Sequence, residues 1–271
     1  MVKLSARLML MADQIEKNET MADIGTDHGF LPMYLADEGI CPKVILTDVS
    51  AGSLKKARDN VNELAEKRRE EGREFDIGTF DFRLGDGITV LKPGEADAIV
   101  IAGMGGILIS EIHEKNIETA RAARRIIMQP RKGSGRLRYS LIKNGFAIER
   151  ELLVREGKFI CEVIVAAYKA DKNTAERSAE STEARSRREA EMPAPYGDIS
   201  YSVPEKLLEN GEIALEFIRR RLSAQKRILG EMENSKSENA AELDEKRKNA
   251  RERIAYYEEL LEKGDTYDKH R

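Results

Sequence analysis

Seven short apolar runs, most of them separated by helical patterns, constrain this chain more than any other feature. They are Thr20–Ile24, Val44–Thr47, Phe80–Leu84, Ala98–Ala102, Arg125–Met128, Phe146–Leu153 and Lys158–Tyr168. A strand that reaches the next through an amphipathic helix lies parallel to it, with both sheet faces covered, so the first five runs predict a doubly wound parallel sheet. The last two are separated only by Arg155-Glu156-Gly157 and should pair as an antiparallel hairpin. The expected class is therefore α/β, Rossmann-like, with a mostly parallel seven-stranded sheet closed by an antiparallel terminal hairpin. The chain has 271 residues, 41% of them hydrophobic, which is enough for a real core and too apolar for wholesale disorder.

Its 35% charged content exceeds the ordinary ~25%, so some segment must be strongly solvated or helical. Residues 171–192 hold six acids and five bases, no aromatic and one large apolar side chain, and read as a linker or mobile charged helix. Three prolines between Met192 and Pro204 mark a boundary. Beyond it, Leu215, Ile218, Leu222, Gln225, Leu229 and Met232 recur by threes and fours. After a break over Gly230 to Asn239, the series Leu243, Ala250, Ile254, Tyr257 and Leu261 resumes the seam. Two helices folding back as a coiled-coil hairpin is the simplest outcome, and each seam is short enough that a dimer fits equally. The organisation expected is a domain over 1–169, a charged and Pro-containing linker over 170–202, an α-helical coiled-coil domain over 203–263 and a tail over 264–271.

The 46 Lys and Arg are outnumbered by 49 Asp and Glu, for a net charge of −3, so any nucleic-acid site must be a local patch. No run approaches the roughly 20 apolar residues of a membrane span, and the start lacks the layout of a secretory signal. Cys41 and Cys161, without metal-ligand spacing, suit a reducing cytoplasm, and no metal site is expected.

Four strand ends carry glycines or acids. The first, Asp23-Ile24-Gly25-Thr26-Asp27-His28-Gly29, is a strand running into a turn and a helix near Phe30–Pro32. A dinucleotide fingerprint would have Gly where Asp27 stands; an acid there repels a pyrophosphate and suits a ligand with an ammonium group and no phosphate, such as S-adenosylmethionine. Asp48 lies 23 residues after Gly25, near the spacing of an acid that accepts from ribose hydroxyls, although alone it would read as a helix cap. Gly85-Asp86-Gly87 offers a carboxylate to an adenine amine, or simply a turn. Ala102-Gly103-Met104-Gly105-Gly106 ends the fourth run. Four such clusters at successive strand ends lie on the edge where parallel sheets bind ligands.

With LSARL (4–8), ADIGTDHGFLP (22–32), RLGDG (83–87), DAIVIAGMGG (97–106), IIMQP (126–130) and GKFICEVIVA (157–166), the chain resembles the bacterial tRNA adenine-22 N1-methyltransferases, the TrmK family, closely over about 1–168. It departs at Asp48, where the family usually has Glu, and at Arg131, where Asn is common. The resemblance implies an S-adenosylmethionine-dependent methylation of adenine N1 in tRNA, at position 22. The donor site expected comprises Asp23, Gly25, Asp27, His28, Asp48, Val49, Gly85, Asp86, Gly87, Ala102, Gly103, Met104, Gly105 and Gly106, with Asp27 and His28 also the catalytic candidates.

Between Thr119 and Ile148 there is no acid, while eight Arg and Lys occur, which favours an RNA acceptor. The expected RNA contacts are Arg131, Lys132, Arg136 and Arg138 in and after a strand-end loop, Lys3 and Arg7 in an N-terminal helix, and Arg220 and Lys226 in the first C-terminal helix. A solvated helical face would carry the last two equally well. His113 and His270 lie outside the motifs and read as surface residues. The competing functions are a methyltransferase acting on another RNA or a small molecule, a nicotinamide-dependent oxidoreductase, and a non-catalytic coiled-coil adaptor.

Overall fold

A computed structural model describes residues 2–169, 194–234 and 240–267. The charged segment 171–192 and His270 lie outside the described residues. Two compact units emerge, Met1–Tyr196 and Gly197–Arg271.

In the first unit, seven strands form one sheet: β1 Thr20–Ile24, β2 Lys43–Asp48, β3 Phe80–Leu84, β4 Ala98–Met104, β5 Arg125–Pro130, β6 Phe146–Glu156 and β7 Phe159–Tyr168. Their order is β3-β2-β1-β4-β5-β7-β6. The first five are parallel, and β7 runs antiparallel to both β5 and β6. β6 continues past Leu153 to Glu156, which pairs with Phe159, so the hairpin turns on Gly157-Lys158 alone. The helices are α1 Ala6–Ala12, α2 Phe30–Asp37, α3 Ala51–Glu70, α4 Gly106–Lys115, α5 Ile117–Ala122 and α6 Ser134–Lys143.

The strands are continuous apolar runs because each face is covered. Met21, Val44, Leu46, Ala98, Val100 and Ile127 pack with Met11 of α1, Leu31 and Leu35 of α2 and Ala57, Val61 and Leu64 of α3. Their sequence neighbours Ala22, Ile24, Ile45, Ile99, Ile101 and Ile126 pack with Ile109 and Ile112 of α4, Ala120 of α5 and Leu137 and Leu141 of α6. Period-two alternation thus divides one strand set between two cores.

A helix was expected between β3 and β4, as between the other parallel strands. The connection instead carries a single 3-10 turn, Gly87–Val90. Lys92-Pro93-Gly94 follows at once and stops any longer helix, because proline lacks the N–H and clashes with the preceding turn.

In the second unit, a short helix α7 (Ile199–Ser202) and a 3-10 segment (Glu205–Asn210) precede α8 (Glu212–Glu233) and α9 (Ala240–Tyr267). Lys226 pairs with Glu258 at 2.7 Å, Arg251 with Glu233 at 3.0 Å and Arg219 with Asp265 at 3.8 Å. Taken in order along α8 from Arg219 through Lys226 to Glu233, each pair moves seven residues forward on α8 and seven back on α9, so the helices are antiparallel. α8 runs through Gly230, where the break was expected to begin, and α9 runs through Gly264, which is buried against Leu215 and Leu208 where a tail was expected.

Candidate active site

The ends of β1, β2, β3 and β4 meet at the carboxyl edge of the sheet, beside the reversal of strand order between β1 and β4. Backbone bonds tie the loops together. Gly25 and Thr26 both donate to the Thr47 carbonyl, at 2.8 and 3.0 Å, and Gly85 donates to that of Asp48 at 3.0 Å. The Asp48 carboxylate accepts from Ser50 N–H at 2.8 Å and from Asp27 N–H at 3.4 Å. Asp48 therefore links the first two motifs and also begins the turn into α3. Val49 beside it is 70% exposed.

Asp23 is buried, and its carboxylate accepts from Thr26 Oγ1 at 2.8 Å. Burial pushes its carboxyl up to about 6; the Thr26 bond opposes this and the Asp48 charge reinforces it. Asp27 occupies the left-handed region at φ +47°, uncommon for a residue with a side chain and tolerated best by Asp and Asn. Its Oδ2 lies 3.5 Å from His28 Nε2, both side chains being largely exposed. The His28 ring stacks on Phe30, centroids 5.4 Å apart and planes at 10°, and its carbonyl accepts from Asn60.

The glycine run ending β4 divides in two. A Cβ added to Gly103 or Gly105 would meet nothing, so open space borders the backbone there. The Met104 side chain folds back onto Gly25, whose φ of +76° is one that L side chains rarely adopt. Gly103 N–H donates at 3.2 Å to Gln129 Oε1, at the end of β5. Gly106, expected at the donor site, is a correction: it is buried, its N–H donates to the Lys132 carbonyl at 2.7 Å, and a Cβ would collide with the Gly133 carbonyl. Its smallness serves the contact between two loop backbones. Gly87 is likewise buried, against Ile112, and the Asp86 carboxylate is paired with the Lys115 ammonium.

The expected RNA residues separate sharply. Arg131 and Lys132 are exposed in the loop between β5 and α6, and the Arg131 N–H donates to the Met104 carbonyl at 2.7 Å. Arg136, half-buried, lies over the Tyr196 ring. Arg138 is a correction. It is buried on the opposite side of α6, bonded to Glu151 Oε1 at 2.8 Å, Glu151 Oε2 at 2.7 Å and Glu162 at 2.9 Å. Burial works against its charge, and the two glutamates outweigh that and raise its pKa. A phosphate cannot reach it. Lys3 is exposed in the extended segment before α1 rather than within that helix. Arg7 turns inward, donating to Gln129 Oε1 at 3.0 Å and meeting Glu156 at 3.4 Å. Arg121, Arg124 and Arg125 are also engaged internally: Arg121 with the Asn144 carbonyl, Arg124 with Asp97, Arg125 with Glu16 and Glu19. In the second unit Arg220 pairs with Glu216 at 2.6 Å and Lys226 with Glu258. His113, read as a surface residue, is fully buried with Nε2 3.1 Å from Ser140 Oγ, and burial pushes its pKa down to about 4.

Sequence reasoning missed Thr26, which holds Asp23, and Gln129, which receives both Gly103 and Arg7. A glutamine inside an otherwise apolar strand was the available signal for the second. Among the described residues no group of His, Cys, Asp or Glu could hold a metal ion, and no helix is long and apolar enough to cross a membrane.

Strand order, the reversed β7 and a ligand edge with acids after β1 and β2 define a class I methyltransferase fold. The chain belongs to the methyltransferase domain family, which matches residues 4–164. Its likeness to the TrmK group within that class is borne out by named relatives. The tRNA (adenine(22)-N(1))-methyltransferase of Bacillus subtilis (strain 168) is 36% identical over 165 residues, 61% of this chain and 65% of that protein. The chain thus spans somewhat less than two thirds of that relative's length. The crystal structure of the B. subtilis M1A22 tRNA methyltransferase TrmK is similar at a TM-score of 0.74 with 27% identity, covering 96% of this chain and all of that one. A Streptococcus pneumoniae structure, a putative tRNA (m1A22) methyltransferase in complex with S-adenosyl-L-methionine, shares the fold at a TM-score of 0.68 and 23% identity, over 96% of this chain and all of that one.

Proposed function

We propose that this protein transfers the methyl group of S-adenosylmethionine to N1 of an adenine in tRNA, at position 22 as in the relatives named above. The observation that carries the reading is the convergence of Asp23, Asp27 and Asp48 on one sheet edge, facing a β4 turn whose Gly103 and Gly105 border open space. That arrangement fits a donor with a cationic amino-acid end and a ribose. The bound donor supplies an electrophilic methyl on a positively charged sulfur.

Adenine N1 already has a lone pair, so no base is needed to create the nucleophile, and holding the ring in line is the main task. Asp48 accepts from the ribose hydroxyls. Asp23 and Asp27 meet the cationic end. The backbone at Gly103 and Gly105 approaches the acceptor base closely, with Gln129 and Arg7 fixing the turn. His28 orients the base and takes the proton that the exocyclic amine sheds as positive charge grows on the ring, with the Asp27 carboxylate 3.5 Å from its Nε2. Arg131 and Lys132 hold RNA phosphates beside the site. The catalytic domain is assigned to 1–169 and a helical hairpin domain to 203–263, joined through 170–202, in the cytoplasm where tRNA is found.

Tritiated-methyl transfer to unmodified tRNA transcripts, with the product nucleoside identified by mass spectrometry, tests the reading. The expected product is N1-methyladenosine. Donor binding without transfer to any tRNA would redirect the acceptor to another RNA or a small molecule.

A further inference from the structure

The outer face of α6 carries a pattern the donor site does not use. Arg136, Tyr139 and Lys143 stand three and then four residues apart, so they share one side of the helix, while Leu137, Arg138 and Leu141 are buried on the other. Tyr196, 63% exposed, sits on this stripe with its ring centroid 4.9 Å from that of Tyr139, edge to face at 64°. The Arg136 guanidinium lies 5.2 Å from the Tyr196 centroid and the Lys143 ammonium 5.9 Å from the Tyr139 centroid. The helix starts immediately after the exposed Arg131–Lys132 loop, so cations and rings alternate away from the sheet edge.

An aromatic ring as exposed as Tyr196 gives little back to the core. Its surroundings supply what an unpaired nucleotide needs, a π face for the base and cations for the flanking phosphates. The absence of any acid from residue 120 to residue 148 gives this stretch one sign of charge. We infer that Tyr196 and Tyr139, flanked by Arg136 and Lys143, form a platform that stacks an unstacked nucleotide of the substrate tRNA outside the methylation site. The inference rests on the tRNA reading above. RNA is recognised chiefly at such splayed bases, which is why a ring platform, rather than further lysines, fits this acceptor.

The test uses the full chain and measures tRNA affinity over a series of salt concentrations, with donor affinity by calorimetry alongside. Tyr196→Ala should weaken tRNA binding about tenfold and raise the KM for tRNA, leaving donor affinity unchanged. Tyr196→Phe and Tyr196→Trp, which keep a ring, should stay within about twofold of the parent. Arg136→Ala should lower the slope of log affinity against log salt by about one. Parental tRNA affinity in Tyr196→Ala, with methylation intact, would overturn the platform alone. Equal loss in Tyr196→Phe would overturn stacking in favour of the hydroxyl. If the parent chain binds donor yet neither binds nor methylates tRNA, the tRNA reading falls and the platform with it.

Discussion

A buried carboxyl group makes Asp23 the residue at which stability and the proposed donor binding pull in opposite directions. Its pKa is raised from 3.8 to about 6, so the neutral form is favoured in the folded chain. A carboxyl with a raised folded pKa contributes its full stability below the unfolded value and loses it as pH rises through the folded one. Between pH 4 and pH 6 the folded chain should therefore lose stability on this account, by roughly 2–3 kcal/mol once both states are ionised. Asp23→Asn should match the parent in melting temperature near pH 4 and exceed it at pH 8. The same ionisation favours a cationic ligand. Donor affinity measured by calorimetry should rise about tenfold from pH 5 to pH 7 in the parent and stay flat in Asp23→Asn. Such an opposition between stability and activity is common at sites where a charge is buried for function.

At the scale of elements, α6 shows how one helix serves two purposes. Its inner face is pinned to the terminal hairpin by Arg138, which joins Glu151 of β6 to Glu162 of β7. Removing one partner of a buried ionic cluster leaves the others uncompensated, so Arg138→Ala should cost about 3–5 kcal/mol, read as a lowered denaturation midpoint. Sequence spacing did not distinguish Arg138 from its neighbours Arg136 and Lys143, because all three sit in the same acid-free stretch. Helical geometry separates them: Arg138 follows Leu137 and precedes Leu141 on the buried side. The carboxylates that receive it come from strands 13 and 24 residues further on, which no local pattern can reveal. Gly106 teaches the same lesson. Its neighbours in the glycine run border open space, while Gly106 itself is required by the Gly133 backbone.

For the molecule as a whole, the proposed function predicts that acceptor binding is separable from donor binding. The exposed Arg131 and Lys132 lie in a loop whose backbone is tied to β4 through Met104 and Gly106. The double variant Arg131→Glu with Lys132→Glu changes side chains that face outward and spares those backbone bonds. It should weaken tRNA binding by at least tenfold and flatten its salt dependence. Donor affinity, measured by calorimetry, should be unchanged; equal loss of both affinities would mean misfolding instead. The acid-free stretch is not one surface: Arg121, Arg125 and Arg138 are largely covered with partners inside the chain, while Arg124, exposed beside Asp97, the β5–α6 loop and the α6 stripe carry the outward charge.

The sequence by itself determined the seven strands, the parallel set and its terminal hairpin, the helical C-terminal unit and the glycines and acids at the strand ends. These are local or periodic properties: an apolar run, a glycine after a strand and a three-four recurrence act over a few residues, and hydrophobic burial makes the fold follow. Only the tertiary structure decided what each polar group meets. It lengthened β6 until the hairpin turned on two residues, replaced a helix between β3 and β4 with a 3-10 turn, buried His113 and Arg138, and turned Arg7 toward Gln129. Partners of this kind are brought together across 13 to 149 residues of chain, and a pairing at that separation is fixed by how the sheet and its helices close, which is a property of the whole arrangement of backbone and not of any stretch of it.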